Sequence, residues 1–472
     1  MTKRQLPVID EPASSLRTDG RRNYVHPADV TGRFMTRRRV VFAILIAVYV
    51  ALPFIQVGGR PAVFLDVEHR RFFLFGLSMN AQDFWLAFFV LSGVGFALFV
   101  VTTLYGRIWC GYACPHSVFL EGVFRPIERL IEGPRNVRMR RNQGPMSFDK
   151  LWRKVLKHAV FLGTAFLMSH FVLSYFTSLP ALLDMIQRGP SAHGEAFAWM
   201  LAMSAVIYFN FAWFREQLCL AICPYGRLQS ALIDNDTLVI GYDVGRGEPR
   251  GKASDPANGD CVDCNRCVVV CPTGIDIRNG LQMECVGCAQ CVDACDEVML
   301  KLGRAPGLVR YDSLNGLEGK KAHFLRPRVY FYAFMGLVGL TVMTFALRSH
   351  QSFEGNLLRT GAPFVVDAEG DVLNMLNLHL VNKRDEPVTF DIAPADERDG
   401  LRYRLPTPTV TLGPLASQRV SVVATWERSE DGDDDDHEDA AREAPPSRVR
   451  VRITSQYDDE TRLAEVPFVA PR

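Results

Sequence analysis

Cysteine spacing constrains this chain more than any other feature, because all twelve cysteines fall into motifs. Cys261, Cys264, Cys267 and Cys271 read C-x2-C-x2-C-x3-C closed by Pro272, and Cys285, Cys288, Cys291 and Cys295 repeat the spacing with Asp296 in place of the proline. A 4Fe-4S cube needs four thiolates arriving from different directions. Three come from one tight loop and the fourth from the other run. The pattern therefore predicts a two-cluster, bacterial-type ferredoxin unit, with Cys261, Cys264, Cys267 and Cys295 on one cluster and Cys285, Cys288, Cys291 and Cys271 on the other. Zinc ribbons pair C-x2-C units across long spacers without a third cysteine two residues on. Disulfides fit poorly too, because thiolates that hold iron and sulfide need a reducing compartment, which points to the cytoplasmic side. The predicted chemistry is one-electron transfer.

Hydropathy adds a membrane. Apolar residues make up 48% of the chain and are concentrated in blocks at 40–57, 84–104, 155–176, 196–214 and 329–347, each of about the length that crosses a hydrocarbon core. Five spans are expected, with Lys157 and His158 near one end of the third, where a long side chain reaches the interface. The first block is expected to be a retained anchor, since no small-residue cleavage site follows it. Lys and Arg flanks give an orientation. Residues 1–39 carry nine and residues 105–154 carry ten, whereas the loop between the third and fourth blocks holds only Arg188. This predicts a cytoplasmic N-terminus and ferredoxin unit, and a C-terminal part on the periplasmic side of a bacterial inner membrane. The net charge of +1, with basic residues gathered at membrane flanks, gives no reason to expect a nucleic-acid partner.

Five segments follow: a flexible basic arm over 1–39, a four-helix membrane domain over 40–230, a linker and ferredoxin unit over 231–328, a fifth membrane helix over 329–347, and a β-rich domain over 348–472. Within the third, residues 241–260 are rich in Gly, Pro, Arg and Asp and read as a linker. Beyond 347, stretches at 373–381, 388–392, 419–424 and 448–454 alternate apolar and polar residues, the signature of an antiparallel sandwich. The acidic run 430–439, which includes His437, reads as a solvated loop.

Two further motifs have the form C-x3-C-P: Cys110 and Cys114 before Pro115, and Cys219 and Cys223 before Pro224. Both cysteines are offset by 109 residues, and each motif follows a pair of apolar blocks. This reads as an internal repeat of two spans with a C-x3-C-P cap. Residues four apart share a helix face, so four thiols from two packed repeats could converge. A lone membrane cysteine is usually a small packing residue, but packing has no need of this repetition. Soft thiolates suit Cu(I) and favour reduction of Cu(II); equally, twelve cysteines divide into three sets of four, enough for a third 4Fe-4S cluster. His116 and Met139 lie nearby and are read as structural.

The order of parts resembles the CcoG/FixG/RdxA family of cytochrome c oxidase accessory proteins. The matching stretches are residues 72–77, 109–115, 219–226, 247–251, the eight-cysteine block and 309–312, together with the β-rich tail. Only the acidic insertion around Asp433 departs from the family pattern. The resemblance implies a polytopic α-helical membrane protein of about five helices, with an inserted two-cluster ferredoxin domain and a C-terminal immunoglobulin-like β sandwich. It further implies reduction of Cu(II) to Cu(I) in support of cbb-type oxidase assembly, with the eight ferredoxin cysteines as cluster ligands and Cys110, Cys114, Cys219 and Cys223 as the copper or reduction site. The expected partners are the membrane, copper ions, a copper chaperone or cbb-type oxidase subunits, and a cytoplasmic electron donor that the resemblance does not identify, nor does it say which of chaperone and oxidase the outer domain touches; homodimerisation is left open. Two other classes compete. One is an electron relay fed by quinol or a cytoplasmic donor, which has no use for the β domain, and the other is a non-catalytic assembly scaffold.

Overall fold

A computed structural model describes residues 24–67, 71–80, 84–348, 351–384, 386–396, 398–427 and 445–471. The acidic run lies outside these. Two compact units are formed, one from most of residues 1–344 and the other from most of 345–472.

Among the described residues, four helices are long and apolar enough to cross a membrane: Leu86–Tyr105, Phe148–Leu173, Gly194–Phe214 and Pro327–Ala346. The chain is a membrane protein. The expected first span differs. Its helix runs Arg33–Ala51 and gives way to a 3-10 turn at Leu52–Phe54 and a short strand at Gln56–Val57. Pro53 stops the helix, and Arg33, Arg37, Arg38 and Arg39 occupy its first two turns, so the charge-free part is shorter than the block suggested. Apolar side chains of this helix nonetheless face outward, Val40, Ile44 and Val48 being about half exposed.

The basic arm also departs from the flexible tail expected of it. Arg38 is buried, and its Nε donates to Gly111 O at 2.9 Å. The amides of Phe34 and Met35 donate to the Asp293 carboxylate at 3.2 and 2.8 Å, and Ala28 N donates to Val269 O at 2.9 Å. Residues 24–39 are thereby bound to the cysteine-rich segment.

That segment is closed by an antiparallel pair, Val239–Tyr242 against Val309–Asp312, with Val239 opposite Asp312 and Tyr242 opposite Val309. The stretch 241–260, expected to be a loose linker, is folded. Asp243 caps a helical turn at Val244–Gly247, Arg246 pairs with Asp260 at 2.5 Å, and Gly251 N donates to Cys261 O at 3.1 Å.

Lys157 is a further correction. It does not reach an interface but lies buried, 3.0 Å from Glu132 and 3.5 Å from Glu128. Glu128 also takes Arg138 at 3.1 Å and Arg215 at 3.0 Å, and these cations hold its carboxyl well below the usual range against the opposing effect of burial. This network sits beside a stack in which Phe124 lies 4.5 Å from Phe211 and 5.0 Å from Phe161, centroid to centroid.

The second unit is the expected immunoglobulin-like sandwich. One antiparallel sheet orders Leu401–Arg404, Ser417–Trp426, Val372–Asn382 and Phe353–Arg359, with Val365–Val366 added to the third; the other orders Thr409–Leu412, Val388–Pro394, Arg448–Ser455 and Thr461–Pro467. Burial alternates strictly along Val372–Asn382, as a strand with one face on a core requires.

Candidate functional site

The two cysteine runs fold into loops of matching shape. Asp263 and Gly287 have φ of 50° and 67°, and two residues on Asn265 and Ala289 have φ of 56° and 59°. Each of the latter precedes a helix, Arg266–Val269 and Gln290–Lys301. Left-handed residues next to right-handed ones turn successive amides inward, the nest geometry found at iron–sulfur sites. Arg278 braces the first loop, donating to Asp263 at 2.6 Å and to both carboxylate oxygens of Asp276 at 2.7–2.8 Å.

The structure brings the eight cysteines together in two sets. Cys261, Cys264, Cys267 and Cys295 line one cavity. Cys271, Cys285, Cys288 and Cys291 line a second, and Cys267 reaches its wall as well. In each set the last cysteine of one run joins the first three of the other. Burial pushes several thiols up, Cys267 and Cys285 to about 11 and Cys288 and Cys295 to about 12. Occupation by metal must therefore displace protons. Soft donors in fours, facing inward nests, fit a 4Fe-4S cluster at each cavity.

The C-x3-C-P pairs are not on continuous helices, as their spacing suggested. Cys110 lies in the short helix Ile108–Tyr112 and Cys219 in the π turn Leu218–Ile222. The chain then breaks: Cys114 has φ −60°, ψ 124° and Cys223 has φ −62°, ψ 112°, and each is the N-cap of a new helix, Pro115–Phe119 or Pro224–Leu232. The proline is the cause, since it disfavours helical geometry in the residue before it and suits the first position of the next helix. The internal repeat is thus a repeated helix break.

The two caps touch through Cys110 and Gln229, and the four thiols lie near enough to act on one another electrostatically. Burial raises Cys219 to about 12, and Cys114, Cys110 and Cys223 add to the effect. Cys110 is raised to about 11 by burial and then by Cys114, while Gln229, within 3.6 Å of its sulfur, opposes the shift. Among the described residues, no three of these sulfurs lie within 4.8 Å of one another. The quartet also adjoins the second cluster cavity. A side chain at Gly111 would stand 2.7 Å from Gly287 O, and one at Gly287 would stand 2.9 Å from Arg107 O. Cys110 contributes to the elevation of Cys285. His116 is half-buried, stacked on Phe211 and near Asn210, with Nδ1 and Nδ2 3.2 Å apart.

Sequence reasoning missed Gln229, Arg38 and Arg107. Arg107 donates to Gly226 O at 2.6 Å, tying one C-x3-C-P cap to the other. Its position directly before the Ile108–Cys110 stretch is the only signal that could have drawn attention to it. Gln229 follows Cys223 by six residues but is far in sequence from Cys110, which it contacts, Arg38 is far from every cysteine, and neither carries a motif.

Comparisons with known proteins follow the same outline. Residues 214–314 match the model of a 4Fe-4S dicluster domain, residues 86–134 that of a 4Fe-4S binding domain, and residues 343–471 that of the IG-like fold at the C-terminal of FixG. The chain is 33% identical to Protein RdxA of Cereibacter sphaeroides over 442 residues, which cover 90% of this chain and 92% of that protein. It is 35% identical to the nitrogen fixation protein FixG of Rhizobium meliloti over 417 residues, 79% of each. Protein RdxB of Cereibacter sphaeroides is 34% identical over 430 residues, 86% of this chain and 89% of that protein.

Proposed function

The chain belongs to the FixG/RdxA family of membrane iron–sulfur proteins, and from that premise we propose that it reduces Cu(II) to Cu(I) at the quartet Cys110, Cys114, Cys219 and Cys223, in support of copper delivery to a cbb-type oxidase. The observation that supports this reading is the contact between the two caps, Arg107 with Gly226 O at 2.6 Å and Cys110 Sγ with Gln229 at 3.6 Å, next to Gly287 of the second cysteine run. Bound 4Fe-4S clusters supply one-electron chemistry over a wide range of potentials. Cys261, Cys264, Cys267 and Cys295 hold one, and Cys271, Cys285, Cys288 and Cys291 the other. Cu(II) is the substrate. Thiolates of the quartet bind it and favour Cu(I), because soft sulfur ligands prefer the softer ion. Gln229 orients Cys110, and Arg107 holds the two caps together through Gly226. The Lys and Arg bias of the loops supports a ferredoxin segment on the cytoplasmic side and a sandwich in the periplasm, with Arg33–Ala51 taken as the first of five crossings. The outer sandwich is then the surface for a copper chaperone or an oxidase subunit.

A second reading has specific support. Three thiolates on one ion at about 2.3 Å would lie nearer one another than these sulfurs do, and residues 86–134 match a 4Fe-4S binding domain. On this reading the quartet holds a third cluster and the chain is an electron relay.

A single-turnover experiment on the full-length protein separates the two. Iron is counted, the protein is reduced without oxygen, the reductant is removed, and Cu(II) is added with a Cu(I) chelator present. The copper reading expects about eight irons per chain and bleaching matched by trapped Cu(I), with both bleaching and Cu(I) lost in Cys110→Ser/Cys114→Ser while iron is retained. About twelve irons, falling to about eight in that variant, establish the relay. Clusters that stay reduced in the presence of Cu(II) overturn copper reduction.

A further inference from the structure

A cavity of about 310 Å³ adjoins the second cluster site and shares Cys285 with it. It begins at Tyr105, the last residue of the membrane helix Leu86–Tyr105, whose ring meets Phe324 edge-on at 6.2 Å. Its walls are apolar, built from Ile233, Leu238, Leu281, Met283 and Leu314. Polar groups gather at Ser230, Asp234 and Asn235. An apolar chamber with a few convergent polar groups is the usual form of a small-molecule site. Cys285 lines both this cavity and the cavity of the second cysteine set.

We propose that this cavity binds the head group of a membrane quinol and is where electrons enter the protein. The inference rests on the reading of Cys285 as a cluster ligand, and it names the donor that reading lacks. Three features favour a quinol over a water-soluble reductant: a mouth at the end of a membrane helix, apolar walls suited to a substituted ring, and a carboxylate placed for a hydroxyl. Asp234 Oδ1 takes Thr237 Oγ1 at 3.1 Å, the amide of Asp236 at 3.0 Å and the guanidinium of Arg326. Among the described residues none of these bonds falls on Oδ2, which is left to accept from a ligand. Oxidation breaks both O–H bonds of the quinol. Its two protons would leave through Asp234 Oδ2 and water at the mouth, and its two electrons would be taken one each by the two oxidised 4Fe-4S centres, the first moving from the centre held by Cys285 to the one held by Cys261, Cys264, Cys267 and Cys295 before the second follows, and the ring would depart as quinone.

The test uses the full-length protein in detergent with two variants, Leu281→Trp and Met283→Trp, which fill the chamber. Met283 is 58% exposed, so its replacement leaves the fold intact, and iron content checks this. The binding probe is a fluorescent hydroxyquinoline N-oxide, a quinol analogue; the reductant is decylubiquinol, added without oxygen. Saturable quenching of the probe, weakened about tenfold or more in both variants at unchanged iron, supports the site. So does cluster reduction by decylubiquinol that the variants lose while dithionite still reduces them. No binding, binding indifferent to both tryptophans, or reduction by NADH in place of quinol overturns it. The two proposals fail separately. Quinol reduction without Cu(I) formation sinks copper reduction and leaves this site standing, whereas Cu(I) formation after dithionite with no quinol binding does the reverse.

Discussion

In the C-terminal sandwich, twenty buried apolar side chains fill the space between two sheets, and no cysteine is among them. The cysteine segment has a main buried cluster of eleven residues among those described, three of which are Cys261, Cys267 and Cys291. Its regular structure is two short strands and a few helical turns, with left-handed residues at each cysteine loop. The sandwich can be stable through hydrophobic burial alone. The cysteine segment has too little core for that, and the loops it wraps around metal only make sense with metal present. One chain thus contains a half whose stability is a matter of area and a half whose stability is a matter of ligation.

The strongest way to break this contrast is Cys291→Ser. It should release about four irons per chain and expose residues 239–312 to protease, while the sandwich stays resistant; full iron retention would end the ligand assignment. Next comes Glu128→Ala. Removing the carboxylate leaves Arg138 and Arg215 buried without their ion-pair partner and Lys157 with Glu132 alone, at a cost of about 3–5 kcal/mol. Thermal unfolding of the membrane unit should fall accordingly with no change in the sandwich transition. A loss below about 1 kcal/mol would mean that the network is solvated.

Smaller changes sharpen the comparison. Ile453→Val in the sandwich should cost about 1 kcal/mol, read by denaturant unfolding, with iron unaffected; a drop in iron would show that the halves are coupled. The smallest effect is one of pH. Burial pushes His26 from 6.5 down to about 4, so the folded state binds fewer protons than the unfolded one. Stability from this group is full above about 6.5 and is lost as pH falls toward 4. His26→Gln should flatten the dependence of the melting temperature across that window, and an unchanged slope would assign the acid sensitivity elsewhere.

Much of the cysteine chemistry was legible in the sequence because it is local. Ligand loops need fixed spacing, and the doubled C-x2-C-x2-C-x3-C run carries that spacing in consecutive residues. The sandwich strands were legible for a similar reason, since alternation along 373–381 records which face is buried. The first membrane block misled only in its bounds, because hydropathy counts Pro53 and the residues beyond it without sensing where the helix must stop. The C-x3-C-P pairs misled in a more useful way. Their spacing suggested one helix face, but Pro115 and Pro224 end one helix and start another, and it is these breaks that present the sulfurs.

The sequence by itself determined which residues can hold iron and sulfide, where the chain can cross a membrane, and that its C-terminal part is a cysteine-free β structure. Only the tertiary structure decided that residues 24–39 dock on the cysteine segment, that Lys157 belongs to a buried network around Glu128, that the two C-x3-C-P caps meet, and that Cys285 lines two cavities. The reason is the range of the interactions involved. Motif spacing and hydrophobic periodicity are properties of neighbours along the chain. Contact of Cys110 with Gln229, or of Arg38 with Gly111, depends on the packing of helices and loops far apart in sequence, and no periodicity encodes it.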